Sequence, residues 1–599
     1  MYLVPLVENK TGRTLLNYYE KRTVDGKSKA FFVERIGYLD EFVDLYEDPL
    51  AHFRAEAKRR TREAKLVLEV SLSERYSFDN RSVAKSKEVK KTDKIINYGM
   101  LVLSKLYHEL AIHYFVDNRR RYTKASFNHN MILQMLVYGR ILFPDSKLQT
   151  WHKRTRLIGD MSFSEDDVYR SFPFFAKHKT ALVRHLHKRV SELYGRDTTL
   201  MYYDVTNYYW ESDKEDNLRK RGVSKEKRKR PIVQMGLLMD SDSIPINYSL
   251  FAGNTHDSLT LSPVMGEVSE ELGSSNVIYV ADKGLMSGEN RAEIIINRGG
   301  YVISNSVRGS AIDKQTRKWL LDQKDYTVLQ DSQYMYKSRL QPIKIWVRDR
   351  STAKNKQVEL NEVQVVYWSR KYQQRARHER AKAIEKALKY GTTLNNHAAN
   401  KYFSKEAFDP KTGQVVQDVE LGRYLDEQKI RLDEQLDGYY MICTNVVGLQ
   451  EGQAPFKGTS RFRKDNLLEL NRVVGALDII EMYRGLWRIE ETFKITKSQL
   501  KARPAFVRKE QSIEAHFLTC FLALLLLRLL EKRLDGQIPV SQLVESLREA
   551  NLVGITSDLF HSSYCDTVIQ SIGKSLSLDI TRKYYLKSGL KELAAATKK

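Results

Sequence analysis

From Thr198 onward the apolar residues keep a strand period three times in succession and then alternate between helix and strand. TTLMYYDVTNYYW, IVQMGLLMD and IPINYSLFAG each alternate over strand length, and Ser241-Asp242-Ser243 supplies a turn between the second and third. SLTLSPVMGEVSEELG then carries helical spacing, VIYVADKG is a short apolar strand ending in an acid, ENRAEIIINRG is helical and YVISNSV is a fifth strand. Three strands, helix, strand, helix, strand is an α/β order and predicts one sheet with helices packed on it.

The flanking texture differs. Near the start, YYEKRTVDGKSKAFFVERIG sets two β-rich runs around Asp25-Gly26, a dipeptide suited to a tight hairpin turn. Between Lys94 and Gly195, KIINYGMLVLSKLYHEL, HNMILQMLVYGRILF, EDDVYRSFPFF and TALVRHLHKRVSELYG read as helices. Strand-like runs return in YTVLQDSQYMYKSRLQPIKIWVRDR, QVELNEVQVVYWSRK and YYMICTNV, with one charged helix near RHERAKAIEKALKYG, and helices resume from Val473. With 599 residues, three to five structural units are expected.

Two aspartates stand where such a sheet places functional groups. Asp204 follows the apolar run LMYY and Asp282 follows VIYVA, which puts both at or just past strand ends. Either alone is more commonly a cap or turn former. The segment EMYRGLWRIEETFKITKSQLK adds a third acid. On a continuous helix Tyr483, Trp487, Lys494, Lys497 and Lys501 fall within about 60° of Glu490. Met482, Leu486, Ile489, Phe493 and Leu500 form an apolar stripe between about −40° and −100°. One face packs, and its neighbour presents an acid among lysines and aromatics.

Charge narrows the partner. Ninety-nine Lys and Arg against 75 Asp and Glu leave a surplus of +24, which favours a polyanion, with nucleic acid ahead of an anionic membrane. KEDNLRKRGVSKEKRKR at 214–230 concentrates nine bases against three acids, so Arg228, Lys229 and Arg230 are candidate phosphate contacts, with a solvated loop as the alternative. The three cysteines form no C-x-x-C pair and support neither a disulfide framework nor a zinc knuckle. The start does not read as a secretory signal, and Phe517 to Leu527 falls short of the 18 or so residues of a membrane span and is expected to be a buried helix. Gly26-Lys27-Ser28 and Gly573-Lys574-Ser575 lack the leading glycine of a phosphate-binding loop, which argues against a nucleotide triphosphate. His108 and His113 sit about 140° apart on a helix and cannot share a zinc. His256, beside Asp257, reads as a polar turn residue.

Taken together, the acid on strand one, the acid after strand four, the strand-rich stretch and the Glu-bearing helix resemble the RNase H-like catalytic domain of DDE transposases from bacterial insertion sequences. The Glu490 helix is similar to their Y-x(2)-R-x(3)-E-x(6)-K signature, with Tyr483, Glu490 and Lys497 at the right spacings and Leu486 in place of the arginine. DVTNYYW, FAGNTHD and VADKG resemble the blocks around the family's first two acids.

The resemblance implies that Asp204, Asp282 and Glu490 are catalytic and hold two Mg²⁺ or Mn²⁺ ions, with Asp204 bridging both. Such ions stand roughly 3.5 to 4 Å apart and take hard oxygen ligands. It also implies binding of double-stranded DNA at terminal inverted repeats and at a target, a homodimer pairing two ends, no triphosphate, and a bacterial cytoplasmic, nucleoid-associated location. Tyr483, Trp487, Lys494, Lys497 and Lys501 would then face DNA.

The expected layout is a β-containing DNA-binding unit at 1–90, a helical DNA-binding region at 91–196 and the first part of the core at 197–307. A β-rich insertion at 308–470, the second part of the core at 471–535 and a C-terminal dimerisation region at 536–599 follow. Two rival functions are an RNase H-fold nuclease of repair or junction resolution and a non-enzymatic DNA-binding regulator descended from a transposase. The regulator would be marked by a lost acid, and all three candidates are present.

Overall fold

The computed structural model describes the chain except residues 10, 25–26, 74–94, 160, 223–229, 273–275, 286, 310–311, 330–332, 349–353, 391–401, 403–406, 409–414 and 417–424. It divides into two compact units, residues 1–93 with 555–557, and 94–554 with 558–599. All the segments expected after residue 90 therefore share one body.

In the first unit Tyr2–Val7, Thr14–Val24 and Lys27–Tyr38 form an antiparallel three-stranded sheet, followed by the helix Pro49–Ser73. The pairing continues to Val24 and Lys27, while the Asp25-Gly26 turn lies outside the described residues.

The second unit is built on a nine-stranded sheet. Five strands from one edge inward are Pro245–Ala252, Ile232–Met239, Leu200–Tyr209, Ile278–Ala281 and Gly300–Asn305, in that spatial order. The first three in sequence form an antiparallel meander, and the last two run parallel to Leu200–Tyr209. Parallel neighbours need crossovers, which the helices Leu261–Leu272 and Gly288–Ile296 supply. The fold class is thus the α/β arrangement read from the sequence. Part of the strand-rich stretch joins this sheet, while Val446–Val447, Leu468–Leu470 and Ser460–Phe462 form a small sheet of their own. Tyr439–Thr444, Asn355–Ser369, Tyr334–Arg348 and Thr327–Leu329 extend the same sheet beyond Gly300–Asn305, with helices Lys314–Leu321 and Glu427–Gln435 between strands.

Each face of the sheet has its own core, as the period of two requires. Met201, Tyr203 and Val205 pack with the two crossover helices, whereas Tyr202 and Tyr208 pack into a larger core built with the helical region. At the centre of that larger core runs Glu510–Arg533, long and apolar enough to cross a membrane by length and composition, yet 94% buried inside the protein over its most apolar window. The helices Phe172–Tyr194 and His129–Leu142 surround it.

Two local readings differ. Ile95–Asn97, expected as the start of a helix, is a strand that pairs with Asn551–Gly554, so the C-terminal residues close onto the start of this unit. The 481–501 segment is not one helix either. It is Ala476–Arg484, then Trp487–Lys494, then a wide turn over Ile495–Gln499.

Candidate active site

Strand alternation decides which way the aspartates face. Asp204 lies in the middle of Leu200–Tyr209, not at its end, on the side of Tyr202 and Tyr208. It is nevertheless past the last paired position of the neighbouring strand, because the parallel register ends at Tyr202 opposite Val280. Two residues further along each strand stand Asp204 and Asp282, side by side. Asp282 continues the side of Val280, and Ser304 the side of Val302, both in the same core. Ser304 Oγ donates to Asp282 Oδ1 at 3.2 Å, and the Lys283 N–H donates to the same oxygen at 2.6 Å.

The Glu490 segment covers this face. Ile489 and Phe493 are buried at 0% and 5% exposure in the core that contains Tyr202, and the neighbouring side of the helix, about 100° round, carries Glu490 and Lys494. The break at Gly485 brings the backbone close, since a Cβ there would stand 1.9 Å from the Tyr202 hydroxyl oxygen. Only glycine fits that approach.

The result is an open cleft of about 470 Å³ lined by Asp204, Asp282, Glu490, Lys494, Lys497 and Arg503, with Thr206, Ser498, Leu486 and Phe493 completing its wall. Lys497 Nζ donates to Thr206 Oγ1 at 2.5 Å and lies 5.7 Å from the Tyr208 ring centre. The Val205 N–H donates to Asp204 Oδ1 at 2.7 Å. Glu490 is exposed and has no hydrogen-bond or ion-pair partner among the described residues.

The donor set suits a hard divalent cation in kind, since all three acids offer carboxylate oxygen. Among the described residues, however, no three His, Cys, Asp or Glu side chains are gathered closely enough to share an ion. The carboxylates line the cleft as separate donors.

Tyr483, Trp487 and Lys501 depart from expectation. Tyr483 borders a neighbouring cavity of about 740 Å³ that shares Asp282 as a wall. Burial first, then the Asp282 and Glu490 charges, push its hydroxyl up to about 12. Trp487 is 58% exposed and outside the cleft, because the helical phase does not run unbroken through Gly485. Lys501, after the wide turn and with φ of 44°, lines a different cavity. Arg230 is paired with Glu211, and Arg228 and Lys229 lie outside the described residues.

Leu486, where the signature carries arginine, is an apolar part of the cleft wall. The nearby arginines are engaged elsewhere, Arg484 with Glu481 and Tyr367 and Arg488 with the Ser241 carbonyl. Sequence reasoning missed Arg503. Its loop is fastened to the end of the Asp204 strand by a bridge between Trp210 and Ala505 and by the Trp210 indole N–H donating to the Val507 carbonyl at 2.7 Å. The one available signal was the Arg503-Pro504 step directly after the Glu490 segment.

Comparison with known proteins adds a family. Residues 203–395 and 433–526 match the family described as the transposase DDE domain. Among solved structures, the piggyBac transposase synaptic complex with hairpin DNA is 8% identical, covers 84% of this chain and 85% of its own, and superposes with a TM-score of 0.34. The Mos1 transposase paired-end complex with left transposon end is 10% identical, covers 30% of this chain and 60% of its own, with a TM-score of 0.14. No curated protein matches. The two matched stretches include all three cleft acids, and across them the chain carries a transposase DDE domain.

Proposed function

We propose that this protein is a DNA transposase that binds the terminal inverted repeats of its own element, cleaves the strand at each end and joins the freed end to target DNA by a cut-and-paste route. The observation that carries the reading is the single cleft in which two strand-borne aspartates meet a helix-borne glutamate beside Lys494, Lys497 and Arg503. A phosphodiester is an anion, and a cleft with acids alone would repel it. Three cations on one wall supply the attraction, and the acids supply the seat for divalent ions.

Asp204, Asp282 and Glu490 would hold two Mg²⁺ or Mn²⁺ ions. Such ions activate the attacking water or 3′ hydroxyl and stabilise the leaving oxygen in phosphoryl transfer. The chain's own groups do the rest. Ser304 and the Lys283 N–H hold one Asp282 oxygen in place, and the Thr206 hydroxyl anchors Lys497 at the cleft wall. Lys494, exposed, is placed to meet a backbone phosphate. No triphosphate is needed, because the bond broken and the bond made are alike in energy. The family reading also calls for two such chains, as a homodimer, to pair the two ends.

The test is cleavage of a duplex carrying the element's end sequence, with and without Mg²⁺, by the wild type and by Glu490→Gln. Glu490→Gln is expected to retain duplex binding within a few-fold and to lose cleavage, and undiminished Mg²⁺-dependent cleavage would remove Glu490 from the site.

A further inference from the structure

The loop that brings Arg503 to the cleft has a second cavity on its other side, about 230 Å³, whose lining includes Arg140, Asp145, Lys147, Lys501, Arg503 and His516. Four of these are bases and one is an acid, and Asp145 is already paired with Lys153 at 2.8 Å. His516 is buried and held neutral, with Nε2 bonded to the Ala502 carbonyl at 2.9 Å. Cys520, close by, is held as a neutral thiol by its burial. The charge of Asp145 also reaches Arg140, so the cavity's one carboxylate is shared between Lys153 and Arg140.

Two of the cavity's bases are almost wholly inside. Arg140 is 4% exposed and Lys147 6%. Arg140 makes long bonds to the carbonyls of Leu500 and Lys501, at 3.4 and 3.3 Å, and its Nε has no partner. Lys147 Nζ has no hydrogen-bond partner among the described residues. Burial pushes the Lys147 ammonium well down, but a guanidinium does not give up its proton in a protein. A buried guanidinium with one unsatisfied nitrogen stands here beside a buried amine that burial discharges, and an anion entering the open volume would satisfy Arg140 Nε and favour the charged form of Lys147. The volume suits a tetrahedral oxyanion, and a cluster of lysine and arginine donors matches phosphate.

We infer that this cavity is a phosphate seat, and that its occupant is a backbone phosphate of the DNA strand lying in the neighbouring cleft. The seat rests on the cavity's own charges. The identity of the occupant rests on the proposed function and on Arg503, which lines both cavities. A strand with one phosphate beside Lys494 and Lys497 has Arg503 as the shared wall leading to Lys501, Lys147 and Arg140.

The seat is tested with the full chain and inorganic phosphate, titrated against chloride at matched ionic strength while the melting temperature is read. The wild type is expected to show a saturable rise. Lys147→Met, which keeps bulk and removes the partnerless amine, is expected to melt at or above the wild type without phosphate and to need at least about tenfold more phosphate for the same rise. An equal response in the variant, or none in the wild type, overturns the seat. Should Lys147→Met fail to fold, Lys147→Gln and the wild-type titration decide the same question.

The occupant is tested by duplex binding. Lys147→Met is expected to weaken binding across sequences and to lower the salt slope by about one. Unchanged duplex affinity and slope, with the phosphate response lost, would overturn the DNA strand as occupant in favour of free phosphate. Neither arm measures cleavage, so failure of the seat is distinguishable from failure of the catalytic reading, which the Glu490→Gln cleavage assay reports.

Discussion

The two sides of the 476–500 segment hold side chains of opposite kinds at positions one to four residues apart. On one side Met482, Leu486, Ile489, Phe493 and Leu500 are all buried in the larger core. On the other Glu490 and Lys494 are exposed and Lys497 is half-buried, all three lining the cleft. Leu486 and Phe493 also reach the cleft wall, so the packed side is the floor on which the charged side stands. Core packing and the charge of the cleft are therefore encoded in one short stretch and are separable by choice of position.

The largest stability effect is expected at Phe493. Phe493→Ala removes a ring that is 5% exposed and should cost about 3 to 5 kcal/mol through lost burial and a cavity, read in a denaturant melt. A cost near zero would mean that the stripe is not core.

Gly485→Ala sharpens the same contrast. Helix propensity alone would stabilise the chain by about 1 kcal/mol. The close approach to Tyr202 predicts the reverse, a loss of about 1 to 3 kcal/mol from overpacking, together with reduced cleavage as the Glu490 helix is pushed off the Asp204 strand. A stabilised, fully active Gly485→Ala protein would show that the close approach is not needed.

Smaller effects are expected on the charged side, where activity rather than stability should respond. Lys497→Ala loses a bond to Thr206 in a half-buried setting and should cost about 1 kcal/mol as well as activity. Lys494→Ala, exposed, should stay within about 0.5 kcal/mol in the melt yet reduce duplex binding or cleavage. Silence of Lys494→Ala in both assays would make this side a solvated surface. Smallest per residue is the salt effect. Duplex affinity should fall with salt at a slope of about 0.9 per phosphate contact, and Lys494→Ala should lower that slope by about one contact.

This contrast also explains what could be read from the sequence. The strand over 200–209, the crossover helices and the apolar stripe through Ile489 and Phe493 were legible because burial imposes a period on neighbouring residues. Asp204 and Asp282 were legible as acids near strand ends, although Asp204 proved to be mid-strand and past only its neighbour's pairing.

What was not legible depends on contacts between distant residues. The break at Gly485 answers to Tyr202, and the position of Arg503 to Trp210. The wide turn at Ile495–Gln499 ends the regular helical phase, which is why Lys501 leaves the cleft that a continuous helix assigned it. Extension of the sheet by Asn355–Ser369 and Tyr439–Thr444 was hidden for the same reason, since strand partners across dozens of residues leave no local period.

The central claim is that the cleft acids act together on DNA, and Asp204→Asn tests it most directly because the change keeps shape and removes only the charge. Cleavage of an end-bearing duplex in Mg²⁺ is measured beside duplex binding and a melt. The account predicts cleavage reduced to background, binding within a few-fold of wild type and an unaltered fold; cleavage by Asp204→Asn at the wild-type rate would contradict it.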